Sequence, residues 1–487
     1  MATKEYLMNF SHLVAALQAD SPPGSPGAEL HSFSKEGGFS SVSVDSRKVE
    51  EGGLFVALSG EATDGHLYIE AALKAGAAGV IAQVPKLEKH GVLKMCEKAG
   101  ASVIAVQDSL FALQEAARVY LQKFPRLLKI GITGSAGKTT TKEIAAAIIG
   151  LEKNTVMSAG NLNSETGLPL SIFTVRNEHE AGVFELAMNH KGEMEALARI
   201  LRPNIALITN IGRAHIGLLG SQDAIAFEKK CIFSYLSDKD IALIPNDDGY
   251  RDFLARDTAG IVRFYGAESF AEYEGVKSLG LFGSEVGWAG QTMRFSLPGR
   301  HSLANMFAAA AIAKEAGISA EAIKQGVESV RPMFGRTEVF TGRATVIRDC
   351  YNASPESVGK ALDFADNLEW PGRRIYIMAD MLELGGQSKE AHAELGRRLL
   401  ESKAGDIFLF GKETAFAAQV LEEAGRGFFY TGDFDELYRQ VSAALENSSP
   451  QRELVLLKGS RGCALERLSG ILTGEGGGNL PGAHNGA

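Results

Sequence analysis

Cysteine is scarce in this chain: four in 487 residues, at positions 96, 231, 350 and 463. None pairs as CxxC, so neither a thiolate metal site nor a disulfide framework is indicated, and the thiols suit a reducing compartment. An excess of positive charge is also missing. Lys plus Arg total 50 against 59 Asp plus Glu, a formal charge of −9. That argues against a general nucleic-acid binder and still allows an anionic small substrate held by a few local cations. No apolar run reaches bilayer-spanning length, and Met1-Ala-Thr-Lys-Glu-Tyr6 has no signal-peptide core. A cytoplasmic protein without membrane insertion is expected. No internal repeat is visible. The apolar fraction of 45% and charged fraction of 22% are those of ordinary globular protein. The chain is too long for a single core, so several domains are expected.

The pattern along the chain divides into three blocks and a tail. Residues 1–108 carry short strands and Gly-rich turns (Ser41–Val44, Leu54–Leu58, Gly79–Ala82) with a helix over Tyr68–Ala75. Residues 109–331 open with an amphipathic helix, Leu110–Phe124. Strand and helix then alternate through Leu127–Ile132, Thr139–Leu151, Val183–Leu186, Glu193–Leu201, Ile205–Thr209, Asp223–Leu236 and Ile241–Ile244. Residues 332–471 alternate again from Thr345 to Leu457. Such alternation predicts an α/β fold with parallel, doubly wound sheets: a small N-terminal domain, a central P-loop domain and a C-terminal Rossmann-like domain. The Gly-rich tail, 472–487, is expected to be disordered.

Gly131-Ile-Thr-Gly-Ser-Ala-Gly-Lys-Thr-Thr-Thr141 is the most informative stretch. An apolar run precedes it and an apolar helical pattern follows. Strand, glycine loop, helix is the arrangement that cradles phosphate, because backbone N–H groups and the helix N-terminus face the anion. Gly134, Ser135, Ala136, Gly137, Lys138, Thr139 and Thr140 are therefore candidate nucleotide contacts. Lys138, read as a solvent-facing loop residue, would neutralise the β/γ-phosphates, and the Thr139 hydroxyl would reach magnesium. The common P-loop has glycine where this chain has Ile132, so the loop is a shortened form unusual in kinases and GTPases.

In open parallel sheets, ligands bind beyond the carboxyl ends of the strands. Glu185, His215 and Thr139 all fall there, and a carboxylate, an imidazole and a hydroxyl around a triphosphate could hold a divalent metal. Taken singly, a strand-end Glu is more often a cap or salt-bridge partner and a loop His a structural hydrogen-bonder; together, on successive strands of one nucleotide-binding sheet, they favour the metal reading. Lys229 and Lys230, in Phe227-Glu-Lys-Lys-Cys-Ile-Phe233, read as a solvated charged helix face. Ser302 reads as a helix cap, and the Asn305 amide could face a base or the helix backbone.

Together these pieces resemble the Mur ligase family, the ATP-dependent amide-forming ligases of peptidoglycan precursor synthesis. Further stretches carry the likeness: Asp45-Ser-Arg47, Asp64-Gly-His66, Gly160-Asn-Leu-Asn-Ser-Glu-Thr-Gly167, Glu185-Leu-Ala-Met-Asn-His190, Thr209-Asn-Ile-Gly-Arg-Ala-His215, Asp349-Cys-Tyr-Asn-Ala-Ser-Pro355, Asp380-Met-Leu-Glu-Leu-Gly385 and Lys458-Gly-Ser-Arg461. Their order and spacing span residues 45 to 466. The resemblance implies ATP and Mg2+, with Thr139, Glu185, His215 and a carbamylated Lys229 around the metal. That overturns the charged-face reading of Lys229 and leaves it for Lys230. It implies catalytic roles for Lys138, Lys229, His215 and Arg336. Asn305 would meet adenine, Arg336 the γ-phosphate and Asp349 the ribose.

For substrate, the resemblance implies Ser46, Arg47, Asn161, Asn163, Tyr351, Asn352, Lys458 and Arg461. The likeness within the family is to members that join D-alanyl-D-alanine to UDP-N-acetylmuramoyl-tripeptide, and a monomer is expected. Four positions depart from the family pattern. Ser302 stands for a common asparagine, Arg348 for a common acid, Ala187 for glycine and Ser164 for asparagine. The alternatives are another ligase of the superfamily, such as a tripeptide-forming or folylpolyglutamate synthase-like enzyme, or a non-catalytic nucleotide-binding protein.

Overall fold

The computed structural model describes residues 6–19, 27–35, 37–60, 63–446, 449 and 452–474. Five sheets form among the described residues. In the N-terminal domain, Ser102–Val106, Gly79–Gln83, Leu54–Val56 and Val42–Ser43 lie parallel in that order, with Glu29–His31 antiparallel on the outer edge of Ser102–Val106.

The central sheet is wholly parallel. Its order is Ile261–Tyr265, Ile241–Pro245, Ile205–Ile208, Leu128–Thr133, Ala181–Glu185, Thr155–Met157. Ile130, Ile132, Val183, Ile205 and Leu207 are buried in one core and Phe184, Ala206 and Ile208 in another, as expected for strands covered on both faces. The helix Lys138–Ile149 packs there against Arg300–Glu315 and Ala320–Ser329. Small residues allow the close approach: a Cβ on Gly326 would come within 2.5 Å of the Ile148 Cα.

The C-terminal sheet runs Glu338–Thr341, Thr345–Asp349, Glu453–Lys458, Arg373–Ala379, Asp406–Phe410, Phe429–Thr431, parallel except for its first strand. The α/β class and the parallel sheets agree with the sequence reading.

Three features differ from expectation. An antiparallel meander, Tyr273–Ser278, Ser284–Trp288 and Gln291–Phe295, interrupts the alternation. It buries Val286, Trp288, Met293 and Phe295 in the central core. Its strands mix polar residues and glycines with their few apolar ones (Tyr273–Ser278 is mostly exposed), so no apolar run marks them. The helix Arg300–Glu315 takes Gly299 as its N-cap with no side-chain cap bond, so Ser302 does not cap it; Ser302 is buried inside the first turn. Leu472 and Thr473, placed with the tail, belong to the last helix, Ser469–Thr473, and Leu472 is fully buried. The rest of that tail, from 475, lies outside the described residues.

The four thiols are free, and burial pushes the Cys96 thiol up to about 12. No helix of the described residues is long and apolar enough to cross a membrane.

Candidate active site

The order of the central sheet reverses at Leu128–Thr133: the next strands in sequence pair on one side of it and the later ones on the other. A ligand crevice opens at such a point. Glu185 is in register with Ile132, and Ile208 with Thr133. Three strand ends therefore deliver the glycine loop, Glu185 and the segment from Thr209 to one place.

The loop needs its glycines twice over. Gly134 has φ +144° and a Cβ there would lie 1.9 Å from the Thr209 Oγ1; Gly137 has φ +85° and a Cβ would lie 2.2 Å from the Asn305 Oδ1. Asn210 grips the loop. Its Oδ1 accepts from the Ala136 N–H at 3.1 Å and its Nδ2 donates to the Ala136 carbonyl at 2.8 Å. The Asn210 carbonyl accepts the Ser135 N–H at 3.0 Å, and the Ser135 Oγ accepts the Gly212 N–H at 2.8 Å. Ser135 and Ala136 were expected to offer N–H groups to phosphate; here those groups are already bonded. Thr141 is the first residue of the helix to donate back, to the Gly137 carbonyl at 2.9 Å. The N–H groups of Lys138, Thr139 and Thr140 thus have no intrahelical acceptor and suit an anion.

Lys138 is half-buried rather than solvent-facing, and its Nζ donates to the Gly134 carbonyl at 2.8 Å. Burial lowers its pKa; the Glu185 carboxylate opposes this and Arg336 adds to it. Thr139 is the hub. Its Oγ1 donates to the Glu185 Oε2 at 2.8 Å and accepts from the Arg336 Nη2 at 3.0 Å. The Asn163 Nδ2 donates to the other Glu185 oxygen at 2.7 Å.

Lys229 is 1% exposed, which contradicts a solvated face. Burial, then the nearby Lys138 ammonium, hold its pKa well below the ordinary lysine value, with Glu228 opposing. The Glu228 Oε1 is taken up by the Gly192 and Met194 N–H groups, both at 2.9 Å. Lys230 is not simply solvated either. Its Nζ donates to the Phe253 carbonyl at 2.9 Å and lies 4.9 Å from the centre of the Phe253 ring.

His215 has φ +63°, and its Nδ1 lies 2.9 Å from the Glu383 Oε2 of the C-terminal domain. From that domain, too, the Arg336 guanidinium stacks 4.1 Å from the centre of the Tyr351 ring. Asp349 is held on both oxygens, by the Thr337 N–H at 3.2 Å and the Lys458 Nζ at 2.9 Å. Lys458 is 2% exposed and also donates to the Asn352 carbonyl at 2.7 Å. It is therefore committed to Asp349. Arg461 is half-exposed and pairs with Glu466 at 2.5 Å.

A cavity of about 1190 Å³ joins these groups, with Lys229 and Lys230 outside its lining; Lys138, Glu185, His215, Asn305, Arg336 and Asp349 line it. Asn161, Asn163, Tyr351, Asn352, Lys458 and Arg461 line it as well. Ser46 and Arg47 do not. They lie on a turn of the N-terminal domain, where Arg47 pairs with Asp45 at 2.9 Å and holds that carboxyl down at about 2. Among the described residues no group of three His, Cys, Asp or Glu side chains is close enough to hold a metal. Thr139 and Glu185 supply hard oxygen donors suited to magnesium.

Asn210 and Glu383 stand inside the motifs Thr209–His215 and Asp380–Gly385, where nothing local in the sequence marks a role for them. Their work depends on contacts with distant loops.

Fold and site define a three-domain protein whose P-loop crevice is completed by a Rossmann-like domain. Family models place its class more closely. The Mur ligase middle domain matches residues 132–313, the Mur ligase glutamate ligase domain 335–461, and the Mur ligase family catalytic domain 39–121. The UDP-N-acetylmuramoyl-tripeptide–D-alanyl-D-alanine ligase of Treponema pallidum (strain Nichols) is 41% identical over 469 residues, covering 96% of this chain and 100% of the relative. The crystal structure of MurF from Acinetobacter baumannii superposes with TM-score 0.82 at 27% identity, over 96% of this chain and 99% of that one. MurF from Thermotoga maritima, solved in complex with ADP, gives TM-score 0.74 at 26% identity, over 89% and 97%. The chain belongs to the Mur ligase family.

Proposed function

We propose that this protein is an ATP-dependent, ADP-forming ligase that joins D-alanyl-D-alanine to UDP-N-acetylmuramoyl-tripeptide, giving the pentapeptide precursor of peptidoglycan. The observation that carries the reading is the bond from Arg336, in the C-terminal domain, to Thr139 of the P-loop. It sets a cation from one domain beside the phosphate cradle of another, where a transferring phosphoryl group needs charge stabilisation. The likeness to the Treponema pallidum ligase over essentially its whole length supports the substrate pair.

Residues 1–108 hold the UDP end through Ser46 and Arg47. Residues 109–331 hold ATP, with Asn305 on the adenine side. Residues 332–471 bring Asp349 to the ribose and receive the dipeptide. The tripeptide carboxylate attacks the γ-phosphorus, ADP leaves, and an acyl phosphate forms. The dipeptide amine then attacks the activated carbonyl and phosphate departs. Phosphorylation makes a good leaving group, which amide formation from a carboxylate in water requires. Lys138 and Arg336 stabilise charge on the transferring group. Thr139, Glu185 and His215 would hold Mg2+, which supplies Lewis-acid polarisation of the phosphate oxygens.

Lys229 is buried and its pKa is held well below the ordinary lysine value; its amine, when neutral, can add carbon dioxide and lose a proton. The resulting carbamate would turn a buried amine into an oxygen donor. We read the enzyme as a cytoplasmic monomer.

Phosphate release from ATP tests the function. It should require UDP-muramoyl-tripeptide and D-alanyl-D-alanine together. Release that ignores both would instead mark a nucleotide-binding switch.

A further inference from the structure

We propose that Glu383 is a positioning residue that fixes the His215 imidazole, so that the C-terminal domain completes the metal site of the central one. The proposal rests on the reading of His215 as a metal ligand. Ligand histidines commonly direct their second ring nitrogen at a carboxylate, which sets tautomer and ring orientation. Here the Glu383 Oε2 lies 2.9 Å from the His215 Nδ1. That nitrogen is buried and, despite the short distance, has no partner in hydrogen-bond geometry. An exposed carboxylate can make the small rotation that aligns it. A proton on Nδ1 then leaves the Nε2 lone pair for a ligand.

The geometry around the pair is over-determined. His215 and Glu383 both hold left-handed backbones, φ +63° and +65°. Such conformations are disfavoured for non-glycine residues and persist when the surroundings enforce them. The loop that presents Glu383 is pinned along its length. The Asp380 carboxylate accepts the Lys412, Glu413 and Thr414 N–H groups at 3.0, 3.0 and 2.8 Å. The Met381 N–H donates to the His392 Nε2 at 3.0 Å, and the Leu382 N–H to the Ser460 Oγ at 3.0 Å. Two glycines set the spacing of the loops. A Cβ on Gly217 would fall 2.5 Å from the Gly385 N, so only bare backbones approach this closely. Arg213 of the same central loop donates to the Glu356 Oε1 at 2.8 Å, a second tie that does not involve Glu383.

The test is Mn2+ binding, followed by electron paramagnetic resonance on the full-length enzyme with a non-hydrolysable ATP analogue. Glu383→Ala should weaken Mn2+ binding by about tenfold or more. Glu383→Gln, which keeps an acceptor oxygen, should weaken it less. The radius of gyration should stay at the parent value in both, because Arg213–Glu356 and Arg336–Thr139 remain. Mn2+ affinity within twofold of the parent in Glu383→Ala, with His215→Ala weakened, overturns the proposal and spares the ligand reading. Unchanged Mn2+ affinity in His215→Ala overturns both. Expansion of Glu383→Ala alongside the metal loss would make Glu383 a latch between domains and overturn the positioning role.

Discussion

Arg336 and Thr139 are 197 positions apart in sequence, yet the Arg336 Nη2 donates to the Thr139 Oγ1 at 3.0 Å. The C-terminal domain therefore reaches the P-loop of the central domain. Solution scattering should fit this arrangement of the domains. Arg336→Ala should enlarge the radius of gyration and lower kcat by about a hundredfold or more, the usual effect of removing a charge-stabilising contact. Normal turnover in the variant would remove Arg336 from phosphoryl transfer.

Lys138→Ala should abolish turnover and leave the thermal unfolding midpoint nearly unchanged. Its Nζ satisfies a single carbonyl, whereas its charge serves phosphate. A loss of about 3 kcal/mol or more of transition-state stabilisation is expected, read from phosphate release. Near-normal rates would sink the P-loop assignment.

Lys229→Ala should be nearly inactive, and short carboxylates added to the assay should restore part of the rate by supplying the missing anion. Enzyme equilibrated with 13C-bicarbonate should show a carbamate resonance that the variant lacks. A fully active variant without that resonance would return Lys229 to a structural role.

Lys458 and Arg461 separate two effects. Arg461→Ala should raise the KM for D-alanyl-D-alanine far more than that for ATP, because a guanidinium suits the dipeptide carboxylate. Arg461→Lys should recover part of the loss. Lys458→Met should do the opposite and raise the KM for ATP, since Lys458 holds Asp349 at 2.9 Å. Equal shifts of both constants in both variants would break this division.

The N-terminal domain carries a pH signature. The Asp64 oxygens lie 2.6 Å from the Lys86 Nζ and 2.6 Å from the His66 Nδ1. The Gln83 N–H donates to the His66 Nε2 at 2.9 Å, so the ring proton sits on Nδ1, toward Asp64. Burial pushes the Asp64 carboxyl up, but the bonds from Lys86 and His66 outweigh it and leave the carboxyl below its ordinary value. Its stabilisation is therefore present above the unfolded value of about 3.9 and lost as pH falls toward the folded one. Asp64→Asn should lower stability at neutral pH by about 1–3 kcal/mol. Below about pH 4 its stability should fall less steeply than the parent's. Parallel acid limbs in the two proteins would count against this.

The glycine loop was legible in the chain because its cause is local. Gly134 and Gly137 need positive φ, and strand and helix flank them within a dozen residues. The parallel sheets were legible for the same reason, since strand–helix alternation is a short-range pattern. The antiparallel meander was not, because its strands mix polar residues and glycines with few apolar ones and pair across glycine turns. Lys229 and Lys230 are neighbours in sequence and look alike there, yet one is buried beside Lys138 and the other caps the Phe253 carbonyl. Lys458 and Arg461 are three residues apart; one is sealed against Asp349 and the other reaches out to Glu466. His215 and Glu383 meet only because two domains close on Gly217 and Gly385. Residue type and spacing determined the phosphate cradle and the sheet class. Burial, and hence charge state and partner, was decided by packing between segments far apart in the chain, which no local pattern encodes.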